Sequence, residues 1–186
     1  RRSNTTIPNV RGAVFSSDGQ YVAGIIGDAR EHRAFTAQLV PGENQIDLSY
    51  LEDTVLEYAL PGTSELLYTT RSSEGTTAKA RSLETGKTEE IFFTPIRSLA
   101  VAWGARSTDT HYFYPRASRR LEGFVAAVED GSVRRLPING FGLTAVPTDR
   151  GILFNYQTDA GIYGSRFLPA GEYISQSMTG FALPKK

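Results

Sequence analysis

The sequence predicts an all-β chain: a β-propeller of about four four-stranded antiparallel blades, either closed on itself or an incomplete ring of a larger propeller. Three observations carry this. First, four turns of one kind, LVPGEN at 39–44, LETGKT at 83–88, VEDGSV at 128–133 and LPAGEY at 168–173, place glycines 42, 86, 131 and 171 at intervals of 44, 45 and 40 residues. A period in that range is the sequence signature of stacked repeat units. Second, another turn lies upstream of each: SSDGQ at 16–20, LPGTSE at 60–65, GARSTDT at 104–110 and PTDRG at 147–151. Third, no stretch of ten or more residues keeps a helical period. The best helical candidate, SLETGKTEEIFF, has Gly86 in its middle, at a cost of about 1 kcal/mol inside a helix.

Each repeat reads strand, turn, strand, loop, strand, turn, strand. In the first (10–50), RGAVF leads through SSDGQ to YVAGII, and AFTAQLV at 34–40 leads to QIDLS at 45–49. The alternation Gln45, Ile46, Asp47, Leu48, Ser49 has the period of two that a half-buried strand requires. The second repeat (54–94) runs VLEYA, LLYTT, AKARSL, TEEIFF. The third (96–138) runs LAVAW, HYFY, GFVAAV, VRRLP, and the fourth (140–177) GLTAV, ILFNY, IYGSRFL, EYISQ. Such units match propeller blades, whose radial stacking leaves only short edges. The whole chain, 1–186, reads as one propeller region, with 1–9 and 178–186 as closing strands or parts of neighbouring blades.

The SSDG stretch is read as a hairpin turn and not as a catalytic Ser-Asp pair. Asp18-Gly19 supplies residues tolerant of left-handed backbone where the chain must reverse between Phe15 and Tyr21. With its flanks, FSSDGQYVAGIIGD at 15–28, followed by LVPGEN, it resembles the repeat of TolB-like, WD-repeat-like bacterial propellers. LETGKTEEI and VEDGSVRRL resemble that group's outer hairpin. The resemblance covers about residues 10–176. It implies a fold and no particular activity. The later repeats depart from it: Pro61-Gly62 replaces Asp-Gly, Thr108-Asp109 lacks the glycine, and the fourth has Asp149-Arg150-Gly151. Arg1-Arg2-Ser3 resembles the outer-strand segment Arg134-Arg135-Leu136, and Thr179–Pro184 reads like the approach to a fifth blade. A piece of a larger propeller is therefore expected. The alternative is that the ends pair and close a four- or five-bladed ring.

Composition narrows the function classes. Twenty basic and twenty acidic residues give no net charge, hence no overall field to draw the chain onto nucleic acid. Without cysteine there are no disulfides, thiolate metal sites or cysteine nucleophiles. That composition suits an exported bacterial protein, and a periplasmic or cell-surface setting is expected, the cytoplasm remaining compatible. No apolar run approaches the roughly 20 residues a membrane helix needs.

Candidate chemistry is sparse. His32, beside Asp28 and Glu31, is read into the loop between second and third strands, and His111 opens HYFY. Neither has ligand spacing, and each is read as solvent-facing or hydrogen-bonded within a sheet. The GFG at 140–142 precedes a strand and lacks the helix N-terminus that would hold a phosphate. Glu89-Glu90 and Glu129-Asp130 are neighbours on strands, pointing to opposite faces, and read as solvated edges. Trp103 and Phe15 end equivalent first strands, while Tyr112, Phe113, Tyr114, Phe154 and Tyr156 lie on second strands. All are read as packing between blades. No catalytic residue, metal or cofactor is expected.

Arginines supply the one distinctive polar feature. Arg116, Arg119 and Arg120 fall in the single loop PRASRRLEG, where guanidinium groups could hold carboxylates or phosphates. In antiparallel blades this loop shares a rim with the other loops of its class, so Arg30, His32, Arg71, Glu74 and Asp159 should project there too. The expected function is a non-catalytic protein-binding or scaffolding propeller, taking a protein or acidic ligand on that face, within a larger bacterial envelope or exported protein. The alternative is the accessory propeller of a hydrolase or peptidase. A G-x-S-x-G element is absent from these residues, and a lyase or glycosidase would need an acid pair or metal converging on one face. Exposed blade edges would also favour self-association.

Overall fold

The computed structural model describes residues 6–27, 32–40, 42, 46–51, 54–97, 99–104, 111–115, 125–129, 132–136, 141–148, 150–157 and 160–169. These hold fifteen strands and no helix. The strands form four antiparallel sheets, and within each the spatial order follows the chain without a crossover. Sheet 1 contains β1 (Val10–Phe15), β2 (Tyr21–Gly27), β3 (His32–Gln38) and β4 (Leu48–Tyr50). Sheet 2 contains β5 (Val55–Ala59), β6 (Glu65–Arg71), β7 (Thr76–Ser82) and β8 (Thr88–Thr94). Sheet 3 contains β9 (Leu99–Ala102), β10 (His111–Pro115), β11 (Val125–Glu129) and β12 (Ser132–Leu136). Sheet 4 contains β13 (Phe141–Thr148), β14 (Gly151–Gln157) and β15 (Tyr163–Pro169).

The contacts gather into two compact units, one running through Ile91 and the other starting at Phe92. In the first, sheets 1 and 2 meet over Tyr21, Ala23, Ala34, Leu51, Val55, Leu60, Leu66 and Tyr68. Strand alternation explains the selection. Cross-strand partners share a face, so the pairs Ala23↔Thr36 and Ile25↔Ala34 lie on one side of sheet 1 and Val22↔Ala37 and Gly24↔Phe35 on the other. The first side packs on sheet 2. Gly12, at a register shift in β1, leaves room for Tyr58: a Cβ there would lie 2.9 Å from its phenolic oxygen. Burial against these neighbours pushes the Tyr58 phenol up from its ordinary value.

In the second unit aromatic rings do the packing. Phe92 and Phe113 lie with centroids 4.6 Å apart, and Trp103 meets Phe113 edge-on at 6.2 Å. Tyr112, on the opposite face of β10, meets Phe154 edge-on at 5.8 Å. Edge-to-face pairs place the positive ring rim on the negative ring face.

The SSDG turn is built around a buried Ser16. Its hydroxyl donates to Asp18 Oδ1 at 2.6 Å and accepts from the Tyr21 N–H at 2.9 Å. Asp18 Oδ1 also accepts the Gln20 N–H at 3.0 Å, and Gly19, at φ 71°, donates to the Ser16 carbonyl at 2.9 Å. These bonds brace the reversal from within. The Ser17 N–H reaches across to the Gly62 carbonyl at 2.9 Å, tying this turn to its counterpart in sheet 2.

Several element limits differ from those the sequence predicts. The third strand of sheet 1 begins at His32 and not at 34, so His32 is not a loop residue: it pairs with Gly27 across the ladder. The fourth strand is Leu48–Tyr50 and not 45–49, because its pairing with β3 starts only at Ala37↔Leu48. Phe15 is not packed between blades. It lies on the Val22 side of sheet 1, the side sheet 2 does not cover, and is exposed. The fourth strand expected at 172–176 lies outside the described residues, as do Arg30, Arg116, Arg119, Arg120 and Asp159.

Candidate binding rim

The β6–β7 connection shows how a loop joining a second to a third strand is held. Arg71 ends β6 opposite Thr76, and its N–H donates to the Thr54 carbonyl at 3.3 Å. The Ser72 N–H then donates to Gly75 O at 2.9 Å, and the Glu74 N–H to Ser72 Oγ at 3.1 Å. Two N–H groups of this short loop, those of Ser72 and Glu74, are thus satisfied within it, while Arg71, Ser72, Ser73 and Glu74 are exposed. A guanidinium and a carboxylate displayed on a fixed loop form a polar surface that loses little conformational freedom on docking a partner.

At the equivalent end of sheet 1, Arg11 Nε donates to the Gly27 carbonyl at 3.1 Å. Arg11 escapes sequence reasoning because the shift in register between Val10 and Gly12 is invisible in a short apolar strand. Its only signal is a charged residue in the otherwise apolar segment VRGAVF. The His32 backbone lies at this same end, paired with Gly27. In the second unit the β14–β15 loop is braced by Gln157 Nε2 donating to Gly161 O at 3.1 Å and presents an exposed Ile162. Of the predicted rim residues, then, Arg71 and Glu74 are exposed on one loop and His32 stands at the corresponding end of its own sheet.

The remaining candidates are structural. His111 is fully buried, so the solvent-facing reading does not apply to it. Its Nδ1 accepts the Gly104 N–H at 3.0 Å, and its ring meets Trp103 edge-on at 5.4 Å. Glu89 sits at the opposite end of sheet 2, exposed and paired with Lys87 at 2.6 Å. Each partner stabilises the other's charge, holding Glu89 below and Lys87 above its ordinary pKa. No group of three or more potential metal ligands occurs among the described residues.

No family model matches the chain, and no curated protein does. Among solved structures, it is similar to the crystal structure of TolB from Acinetobacter baumannii, with a TM-score of 0.57 and 10% identity over 86% of this chain and 41% of that one. The fold is that of a β-propeller. An isopeptidase, AtxE2 in its apo form, matches with a TM-score of 0.34 and 15% identity over 87% of this chain and 32% of its own. This chain spans less than half the length of either structure. The likeness to TolB is therefore one of fold: four successive antiparallel meanders, with function left to whatever the rims and faces display.

Proposed function

We propose that this is a non-catalytic, protein-binding propeller domain that takes an acidic partner on the rim formed by its second-to-third-strand loops. The observation that carries this reading is the β6–β7 loop, braced by the Ser72 and Glu74 N–H bonds within it while Arg71 and Glu74 face solvent. Arginine on a preorganised loop recognises carboxylates through paired N–H donors. Arg116, Arg119 and Arg120 are proposed as the main cationic contribution to the same rim, with Arg30 and His32 beside them. The domain is further proposed to belong to a larger bacterial envelope or exported protein, a setting its cysteine-free sequence suits.

The test is a titration of a fluorescent oligoglutamate peptide into wild type, Arg71→Ala, the triple variant R116A/R119A/R120A, and Lys87→Ala on the opposite rim. Binding that falls at least about tenfold in the rim variants, equivalent to about 1.4 kcal/mol, and is unchanged in Lys87→Ala supports the assignment. Equal binding by all four proteins removes it.

A further inference from the structure

The chain has two histidines and no cysteine, so the side chains that ordinarily change charge between about pH 5 and 8 are His32 and His111 alone. His111 opens β10 and is fully buried. Its Nδ1 accepts the Gly104 N–H at 3.0 Å, just past the end of β9. An imidazole that accepts at Nδ1 is neutral and carries its one proton on Nε2. Trp103 stands edge-on to the ring at 5.4 Å and edge-on to Phe113 at 6.2 Å, and Val128 of β11 lies opposite His111 across the ladder. None of these neighbours carries a charge that would favour a second proton.

Of the elements around β10, β9, β13 and β14 contain no charged residue. Glu90, two residues before Phe92 on β8, is exposed. The charged residues nearest to His111 in the chain and the ladder are Arg106 and Asp109, in the 105–110 connection, and Glu129, which follows Val128 at the end of β11.

A proton on Nδ1 turns that atom from acceptor into donor, facing the Gly104 N–H, and places a charge in a buried site. Attraction of the imidazolium to the Trp103 ring offsets part of the burial, but it gives the Gly104 N–H no acceptor. We infer that His111 is an acid-sensitive latch of the second unit. Neutral, it holds the start of β10 to Gly104 and against Trp103; charged, it has to leave this site, and the unit opens in mildly acidic surroundings. The unfolded chain takes up the proton and the folded chain resists it, so stability is complete above about pH 6.5, where a free histidine is neutral, and falls below it. When only the unfolded chain binds the proton, the unfolding equilibrium constant rises about tenfold between about pH 7.5 and 5.5.

Urea unfolding at these two pH values, followed by the fluorescence of Trp103, the single tryptophan of the chain, tests this in wild type, His111→Asn and His32→Asn. The asparagine Oδ1 stands in for Nδ1 as acceptor and does not titrate. Expected is a rise of about tenfold in the unfolding constant of wild type and His32→Asn on acidification, and no rise in His111→Asn. Asp109→Asn and Glu129→Gln, which keep the imidazole, should follow wild type. Should His111→Asn not fold, nitrogen NMR of the wild-type imidazoles reads the same point: the His111 ring should keep its neutral Nε2–H form in the folded protein down to about pH 5.5, below the titration of a free histidine. Equal pH dependence in wild type and His111→Asn overturns the latch. So does a profile flattened by Asp109→Asn or Glu129→Gln, which would assign the change to a carboxylate, or a folded protein whose His111 ring titrates as a free histidine does.

Discussion

Tyr112 and Phe154 cross edge to face with centroids 5.8 Å apart, fastening sheet 4 to sheet 3 on the side away from the exposed Val146 and Phe167. Phe154 is fully buried, whereas Ile162, a few residues along the same hairpin, is exposed. Truncating a buried phenylalanine removes its transfer energy and leaves a cavity, at about 3 to 5 kcal/mol. Phe154→Ala should lose that much in urea-induced unfolding, and Ile162→Ala should stay within about 0.5 kcal/mol of wild type. Similar losses at the two positions would contradict the packing described.

Acid should loosen the SSDG turn. The Ser16 hydroxyl first, and then the Gln20 amide, hold the Asp18 carboxylate below its ordinary pKa. A group whose folded pKa is depressed contributes stability above its unfolded pKa, and that contribution is lost as pH falls through the folded value. The urea midpoint of wild type relative to Asp18→Asn should therefore be constant above about pH 5, shrink below about pH 4, where a free aspartate begins to protonate, and level off once the folded carboxyl is neutral. A difference between the two proteins that does not change across that range would show that Asp18 adds nothing through its charge.

Hydrophobic period and turn chemistry made most of the fold legible: VLEYA coincides with β5, and ILFNY falls within β14. What escaped depends on neighbours remote in the chain. The pairing of β4 begins at Leu48 because Ala37 is its partner, a fact no property of QIDLS contains. Phe15 and Trp103 end equivalent strands in the sequence, yet Trp103 rests on His111 and Phe113 while Phe15 is exposed. Repeat register places a residue on a side of its sheet. Whether that side is covered depends on the next sheet. Arg71 ends β6 beside the loop that the sequence marks out, whereas the place of Arg11 depends on a register shift that a short apolar strand does not reveal.

Glycine is required at 24 for a reason distinct from that at 19. A Cβ on Gly24 would come within 2.6 Å of the Gly12 carbonyl oxygen and 2.7 Å of the Phe35 ring, and backbone on one side with a buried ring on the other leaves little room to yield. Gly19 has open space around it but sits at φ 71°, where an alanine is strained by about 1 kcal/mol or a little more. Gly24→Ala should cost about 1 to 3 kcal/mol through overpacking, more than Gly19→Ala. Thermal melts of the two variants compare them, and a Gly24→Ala protein as stable as wild type would refute the close approach.

Two buried threonines should respond to the same substitution with opposite signs. Thr69 is fully buried, and its hydroxyl has no hydrogen-bond partner, so the folded chain carries the desolvation cost of a polar group without compensation. Thr94 is also buried, but its hydroxyl accepts the Ile96 N–H at 3.3 Å. Valine is close to threonine in shape, which leaves the hydroxyl as the main difference. Thr69→Val should therefore raise stability by about 1 kcal/mol, and Thr94→Val should lower it by about the same amount by removing that hydrogen bond. Urea unfolding of both variants decides the matter, since an equal loss in the two would mean that the Thr69 hydroxyl finds a partner in the folded protein.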